Sequence, residues 1–189
     1  MEFGGSYMQT PVIRSKRLFL RRFQPSDYLD LHEYLSDPEV VRFEPYEPFN
    51  LKQSKLEALN RANSPCYWAV CLTGTNKVIG NLYFNKEDYE TYELGFVFNR
   101  LYQKHGYATE SCQAMLQFAF HTLNIRRVIA LCSMENSNSW RLMERLQMRR
   151  EGCFLKNVAF KKDCNGNPIY FNSFQYAILK MEYDAQMDL

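Results

Sequence analysis

The run Asn99-Arg100-Leu101-Tyr102-Gln103-Lys104-His105-Gly106-Tyr107-Ala108 joins a strand-like segment to a helix-like one, and its residue types suit an anionic phosphate. Backbone N–H groups at a helix amino end lack intrahelical partners and point at whatever sits there. Gly106 permits the turn that clusters those donors and lets a ligand approach closely. Ala108 keeps the first turn thin, while Lys104 and Arg100 add positive charge. The spacing alone serves equally well for a loop glycine that merely precedes a helix. Just upstream, Glu93 shares a pleat face with Gly95 and Val97. A carboxylate beside a glycine on a half-buried strand is an odd packing choice unless the gap holds water or substrate, in which case it could accept a proton. The alternative is a glutamate paired with a nearby Arg or Tyr to hold the sheet register. Glu135, at the end of the next strand, is the second candidate base.

Other reactive side chains read as structural. His105 would face phosphate or solvent, and His121 falls in a last helical turn, where positive charge suits the dipole. Cys132 and Cys112 read as core thiols, since no His is positioned to activate either. Six cysteines sit singly with no C-x-x-C, and His32, His105 and His121 lack ligand spacing, so no metal is expected. Arg126-Arg127 and Arg149-Arg150 read as solvated strand entries with a minor alternative role at a phosphate. Ser137, Asn138 and Ser139 are each candidates to cap a helix.

The elements that must position these groups follow from periodicity. Lys16 to Phe23 alternates as a strand. Pro25-Ser26-Asp27 starts a helix with Tyr28, Leu31 and Leu35 on its apolar stripe, and Asn50 with Gln53 resembles a capping box for a second helix to about Arg61. Cys66–Leu72, Val78–Phe84 and Tyr92–Phe98, separated by short turns, predict an antiparallel meander. Ala108, Cys112, Met115, Leu116, Ala119 and Leu123 then share one face of a helix from Tyr107 to Leu123. Val128–Ser133 is a buried strand, and a shorter helix covers 138–147 with Trp140, Met143 and Leu146 inward. Strands at 153–161 and 170–181 flank Asn165-Gly166, a hairpin signal. The order β-αα-βββ-α-β-α-ββ predicts a mixed α/β fold: a mostly antiparallel central sheet, one parallel strand pair around the 107–123 helix, and helices on both faces. Ligand is expected where a strand's carboxyl end meets a helix amino end, at residues 98–108.

Composition bounds the partners. With 189 residues the chain fits one domain. The segment before residue 12 is expected to be flexible, residues 12–182 to form the domain, and 183–189 to be a tail. The formal charge of +2, from 23 basic and 21 acidic residues, gives no general attraction to nucleic acid or anionic membrane, so an anion site must be local. No run of about 18 apolar residues exists to span a bilayer, and the first eight residues do not read as a signal peptide. Six reduced thiols fit the cytoplasm. The 14 Phe, 13 Tyr and 2 Trp are mainly core. Phe43, Tyr46, Phe49, Phe96, Phe98, Tyr107 and Trp140 are expected to border clefts.

Gln103-Lys104-His105-Gly106-Tyr107-Ala108 is similar to the Q/R-x-x-G-x-G/A signature of the GNAT superfamily of N-acetyltransferases. The opening Ile13-Arg14-Ser15-Lys16-Arg17-Leu18-Phe19-Leu20-Arg21, the strand Tyr92-Glu93-Leu94-Gly95-Phe96 and Thr109-Glu110 resemble its RimJ/RimL-like branch. Asn136-Ser137-Asn138-Ser139 with Leu142, Glu144, Leu146 and Met148 resembles that branch's N-x-x-S-x-x-x-(L/M)-E-x-L-G-(F/M) segment, and Tyr176-Ala177-Ile178 its closing strand. The resemblance covers about residues 12–182. It implies direct acetyl transfer from acetyl-CoA to an amine acceptor, a protein α-amine or a small amine. It implies pyrophosphate on Gln103, Lys104, His105, Gly106, Tyr107 and Ala108, with Thr109 nearby. Phe96, Val97 and Phe98 would line the pantetheine, where the parallel strands splay. It also implies Glu93 as base, Ser139 at the sulfur and Asn136 orienting the pantetheine or loop.

Two positions depart from that pattern. Gln147 stands where the branch has Gly, and Asn172 where Asp is expected. The acceptor region is expected within 38–63, where Arg42, Phe43, Glu44, Tyr46, Glu47 and Phe49 suit a cationic amine with an apolar part, and in the late strands. A rival reading is a non-catalytic acyl-CoA sensor or docking module. An exposed sheet edge would permit a homodimer.

Overall fold

The computed structural model describes residues 11–187, so nearly all of the expected amino-terminal segment lies outside the described residues. The strands are β1 (Ile13–Arg14), β2 (Leu18–Arg21), β3 (Tyr67–Leu72), β4 (Val78–Lys86), β5 (Thr91–Phe98), β6 (Arg127–Ser133), β7 (Arg149–Lys162) and β8 (Pro168–Leu179). The helices are α1 (Tyr28–Leu35), α2 (Leu51–Ala62), α3 (Tyr107–Gln117), α4 (Ser137–Arg145) and α5 (Lys180–Met187). One sheet runs β1-β2-β3-β4-β5-β6-β8-β7. Every neighbouring pair is antiparallel except β5 and β6, which are parallel.

The alternation of β3 explains the two layers. Trp68 and Val70 face a core shared with Met115, Leu116 and Phe120, whereas Ala69 and Cys71 face another shared with Leu31, Tyr34 and Leu35. A strand buried on both sides reads as a continuous apolar run, which Tyr67 to Leu72 is. Each large apolar side chain so covered contributes about 2 kcal/mol of transfer free energy.

Three departures from the sequence expectation have local causes. The 107–123 helix widens into a π-turn at Phe118–Thr122, which brings Phe120 into the core and leaves Leu123 46% exposed. The last strand stops at Leu179 because Glu182 Oε2 accepts the Leu179 N–H at 2.8 Å and α5 begins. Residues 183–187 therefore continue a helix rather than a tail, and the Tyr183 ring lies 5.0 Å from that of Phe120. Gln147 adopts φ 57°, taking the left-handed place after α4 that glycine would fill more cheaply.

Gly80 sits opposite Phe98 in the β4–β5 ladder, and a Cβ there would lie 2.5 Å from the Val97 carbonyl oxygen. Backbone cannot yield as a side chain does. Gly80→Ala is expected to destabilise the fold by about 2 kcal/mol, read as a lower urea midpoint.

Candidate functional site

The parallel pairing of β5 with β6 lasts only from Thr91–Arg127 to Glu93–Ile129. Beyond it the strands part, and β6 continues against β8 to Ser133. Glu93 therefore stands at the fork. Two clefts open from it, of about 490 and 530 Å³, and they share Phe43, Glu44, Phe96, Val97, Asn136 and Ser139. Both volumes fall in the range of small-ligand sites.

The larger cleft ends at the loop before α3. Gln103, Lys104, Gly106, Tyr107, Ala108 and Thr109 all line it, as does Phe98. Gly106 has φ 80° and Lys104 φ 64°, so two left-handed residues turn the backbone into the amino end of α3. That arrangement clusters N–H donors toward an anion. Gln103 is held in place as its Nε2 donates to Phe98 O at 3.0 Å. His105 does not line the cleft: its Nδ1 donates to Gln103 O at 2.8 Å and the side chain is exposed. Arg100 is also drawn away, to Asp37 at 2.8 Å. Cationic help comes instead from Arg141 and Arg145 of α4, which the sequence reading passed over although a spacing of four puts them on one helix face. Arg127 and Arg149 bind Glu151, Arg150 binds Glu144, and Arg126 binds Tyr89 O.

The loop is buttressed from the opening strand. Glu110 accepts from Arg17 Nε at 2.7 Å, from the Arg17 N–H at 2.7 Å and from Ser15 Oγ at 2.8 Å. Arg17 Nη1 donates to His105 O at 3.0 Å, and its guanidinium lies 4.5 Å from the Tyr107 ring centre. Burial works against the Glu110 charge, but these Arg17 and Ser15 donors outweigh it and hold the carboxyl below its usual range. Glu110→Gln weakens the clamp and is expected to lower the loop's affinity for a diphosphate-bearing ligand about tenfold, measured by calorimetry.

Glu93 is half-buried and lines the smaller cleft with Gly95 and Val97. Tyr83 packs over Gly95, where a Cβ would come within 3.3 Å of Tyr83 Cβ, so the ring takes part of the space left by the glycine. Burial, then the nearby Glu87 charge, pushes the Glu93 carboxyl above its ordinary value, and no cation or donor among the described residues pulls it back. The alternative of a register-holding ion pair fails on that point. Glu135 is exposed and lines neither cleft, with its N–H donating to Ser133 Oγ at 3.3 Å. It is not placed as a base.

Asn136 caps α4, its Oδ1 accepting the Ser139 N–H at 3.2 Å. The capping role thus falls to Asn136, which leaves the Ser139 hydroxyl to the cleft junction. There it lies beside Cys132, whose thiol packs against the core, as expected, and also lines the smaller cleft. Burial pushes that thiol up to about 11 despite the Ser139 hydrogen bond, so at neutral pH it is not a thiolate. Asn172 Oδ1 accepts the Lys156 N–H at 2.8 Å, at a bulge where Lys156 has φ 50°. Its place is in the hairpin, not the cleft. Of the aromatics expected at clefts, Phe43, Tyr46, Phe96, Phe98 and Tyr107 are there. Phe49 instead tilts against Tyr46 at 5.0 Å, and Trp140 packs on the core.

Among the described residues, no helix is long and apolar enough to cross a membrane and no His/Cys/Asp/Glu group could hold a metal. Residues 17–149 match the Acetyltransferase (GNAT) domain family. The uncharacterized N-acetyltransferase YnaD of Bacillus subtilis is 37% identical over 91% of this chain and 99% of its own. A GNAT-family acetyltransferase from Bacillus anthracis superposes with a TM-score of 0.81 at 35% identity, covering 91% of this chain and all of that one. A ribosomal-protein acetyltransferase from Vibrio fischeri, 16% identical, shares the fold at a TM-score of 0.70 over 92% of this chain and 98% of its own.

Proposed function

Because the chain belongs to the GNAT acetyltransferase family, whose members generally use acetyl-CoA, we propose that it moves an acetyl group directly from acetyl-CoA to a primary amine. The larger cleft takes the pyrophosphate and pantetheine, and the smaller one takes the amine. The observation that carries this reading is Glu93 at the fork of β5 and β6, half-buried, lining the smaller cleft and paired with no cation among the described residues.

Each residue has one task. Lys104, Gly106, Tyr107 and Ala108 hold the pyrophosphate through backbone N–H groups, with the Lys104 side chain, Arg141 and Arg145 supplying charge. An acceptor ammonium, with a pKa of about 10, must lose a proton before its lone pair can form the new N–C bond. Glu93 removes that proton, directly or through water. The β5 edge beyond Glu93 is not engaged by β6, so a backbone N–H there can steady the carbonyl oxygen as it gains charge. The thioester supplies the acetyl group and a thiol leaving group. Once the N–C bond forms, the cationic nitrogen sheds its second proton; as the C–S bond breaks, Ser139 hands its proton to the sulfur and takes up that one, so that amine and thioester become amide and free thiol.

The acceptor is a protein α-amine, as in the RimJ/RimL-like branch, or a small amine. The same reading locates the protein in the cytoplasm, with a homodimer covering the open edge of β7. The test is thiol release from acetyl-CoA across a panel of primary amines. Amine-dependent release supports transfer, whereas acetyl-CoA binding without release from any amine favours the sensor reading.

A further inference from the structure

The smaller cleft is walled largely by aromatic rings and carries two carboxyls, Glu44 and Glu93. Tyr46, Tyr67, Tyr83, Phe160 and Phe171 surround it, with Tyr67 and Tyr83 rings 5.4 Å apart and Phe160 stacked on Phe171 at 5.2 Å. Two cations border it and both are spent. Arg61, fully buried, gives Nε to Glu57 at 2.7 Å and Nη1 to Asn81 Oδ1 at 2.8 Å, and lies 4.5 Å from the Tyr67 ring centre. Lys161 gives its ammonium to Glu47 at 2.9 Å and to Tyr46 O at 3.1 Å. Among the described residues neither Glu44 nor Glu93 forms a direct ion pair, although Tyr46 donates to Glu44 and the charges of Arg61 and Lys161 favour its carboxylate against burial. The cleft is therefore built to receive positive charge against rings and offers no unspent cation to a carboxylate.

Lys161 also has a mechanical consequence. One rim of the cleft is the 43–46 loop and another is the β7–β8 hairpin, through Val158, Phe160 and Phe171. The bonds from Lys161 clasp these rims together. An extended protein terminus must bring several residues of backbone in behind its amine, and a clasped mouth opposes that. A compact amine has no such tail.

We propose that the acceptor is a small primary amine on an aromatic or compact apolar body, without a carboxylate of its own, and not the amino terminus of a protein. This rests on the acetyl-transfer reading and narrows its acceptor. Specificity arises from aromatic walls that accept the body, from Glu44 and Glu93 that repel an acidic one, and from the Lys161 clasp that excludes a long one.

The experiment compares phenethylamine, phenylalanine and a short peptide with a free amino terminus as acceptors, by acetyl-CoA-dependent thiol release. The expected kcat/KM for phenethylamine exceeds each of the others at least about tenfold. In Lys161→Ala the peptide is expected to gain relative to phenethylamine, because the rims are no longer tied. A peptide preferred by the wild-type protein, or phenylalanine used as well as phenethylamine, overturns the inference while leaving acetyl transfer intact. An unchanged peptide ratio in Lys161→Ala overturns the clasp. Acetyl-CoA binding with no release from any amine overturns the parent reading and the inference with it.

Discussion

Glu93→Gln is expected to lower kcat at least about 100-fold, within the range for loss of a general base, while the KM for acetyl-CoA changes little. The carboxylate faces the smaller cleft at the strand fork rather than the loop before α3, so cofactor affinity should not depend on it. The pH profile gives an independent signature. Burial raises the Glu93 carboxyl above its ordinary value, so the acid limb of wild-type kcat should lie above the usual carboxylate range and vanish in the variant. Stability should move the other way. A carboxyl raised on folding favours the folded state below its unfolded pKa, and that contribution is lost as pH rises through the folded value. At neutral pH the wild-type protein holds a half-buried charge that Gln lacks, so Glu93→Gln should be at least as stable to urea. Activity lost together with stability would point to misfolding and away from chemistry.

The second large effect falls on the loop. Gly106→Val is expected to cut kcat/KM for acetyl-CoA about 100-fold, mainly through KM. Its φ of 80° costs a residue with a Cβ roughly 1–2 kcal/mol, and a β-branched residue is a still poorer fit there. Its Cβ would also press to 3.4 Å from the Arg17 guanidinium. The loop relieves this by turning its N–H groups out of register with the anion. Gly74 supplies the control. It too has positive φ, 91°, but nothing lies within 4 Å of a Cβ there, and it lies in the β3–β4 turn. Gly74→Val should carry comparable backbone strain and leave the acetyl-CoA KM where it was. Equal losses in both variants would show that the effect at Gly106 is general strain.

The element order was legible because each signal was local: the continuous apolar run of β3, the four-residue stripe of α3, the Asn50–Gln53 capping box and the Asn165-Gly166 turn. The loop before α3 was legible for the same reason, since its residues are consecutive in sequence. What escaped depends on distance or on one extra residue. The clamp of Glu110 on Arg17 links positions 93 apart, and the Lys161 clasp reaches residues more than a hundred away. No periodicity reports either. The π-turn at Phe118–Thr122 shifts the helical phase without changing composition, so Leu123 reads as inward and is not. Cys132 packs against the core as its place on β6 suggests, yet it also lines a cleft because β5 has departed there. Arg141 and Arg145 look like an ordinary solvated helix face until the loop of α3 is placed beside them.

Direct transfer is the account's central claim, and it is tested most directly by quenching the protein during turnover with acetyl-CoA and an accepted amine, then weighing protein and amine by mass spectrometry. The account predicts one acetylated amine for each thiol released and no acetyl group on the protein, with Cys132 held as a thiol and Ser139 serving only as a proton donor. Acetyl on Cys132 or Ser139 that passes to the amine on continued turnover, or bound acetyl-CoA that acylates nothing, would contradict it.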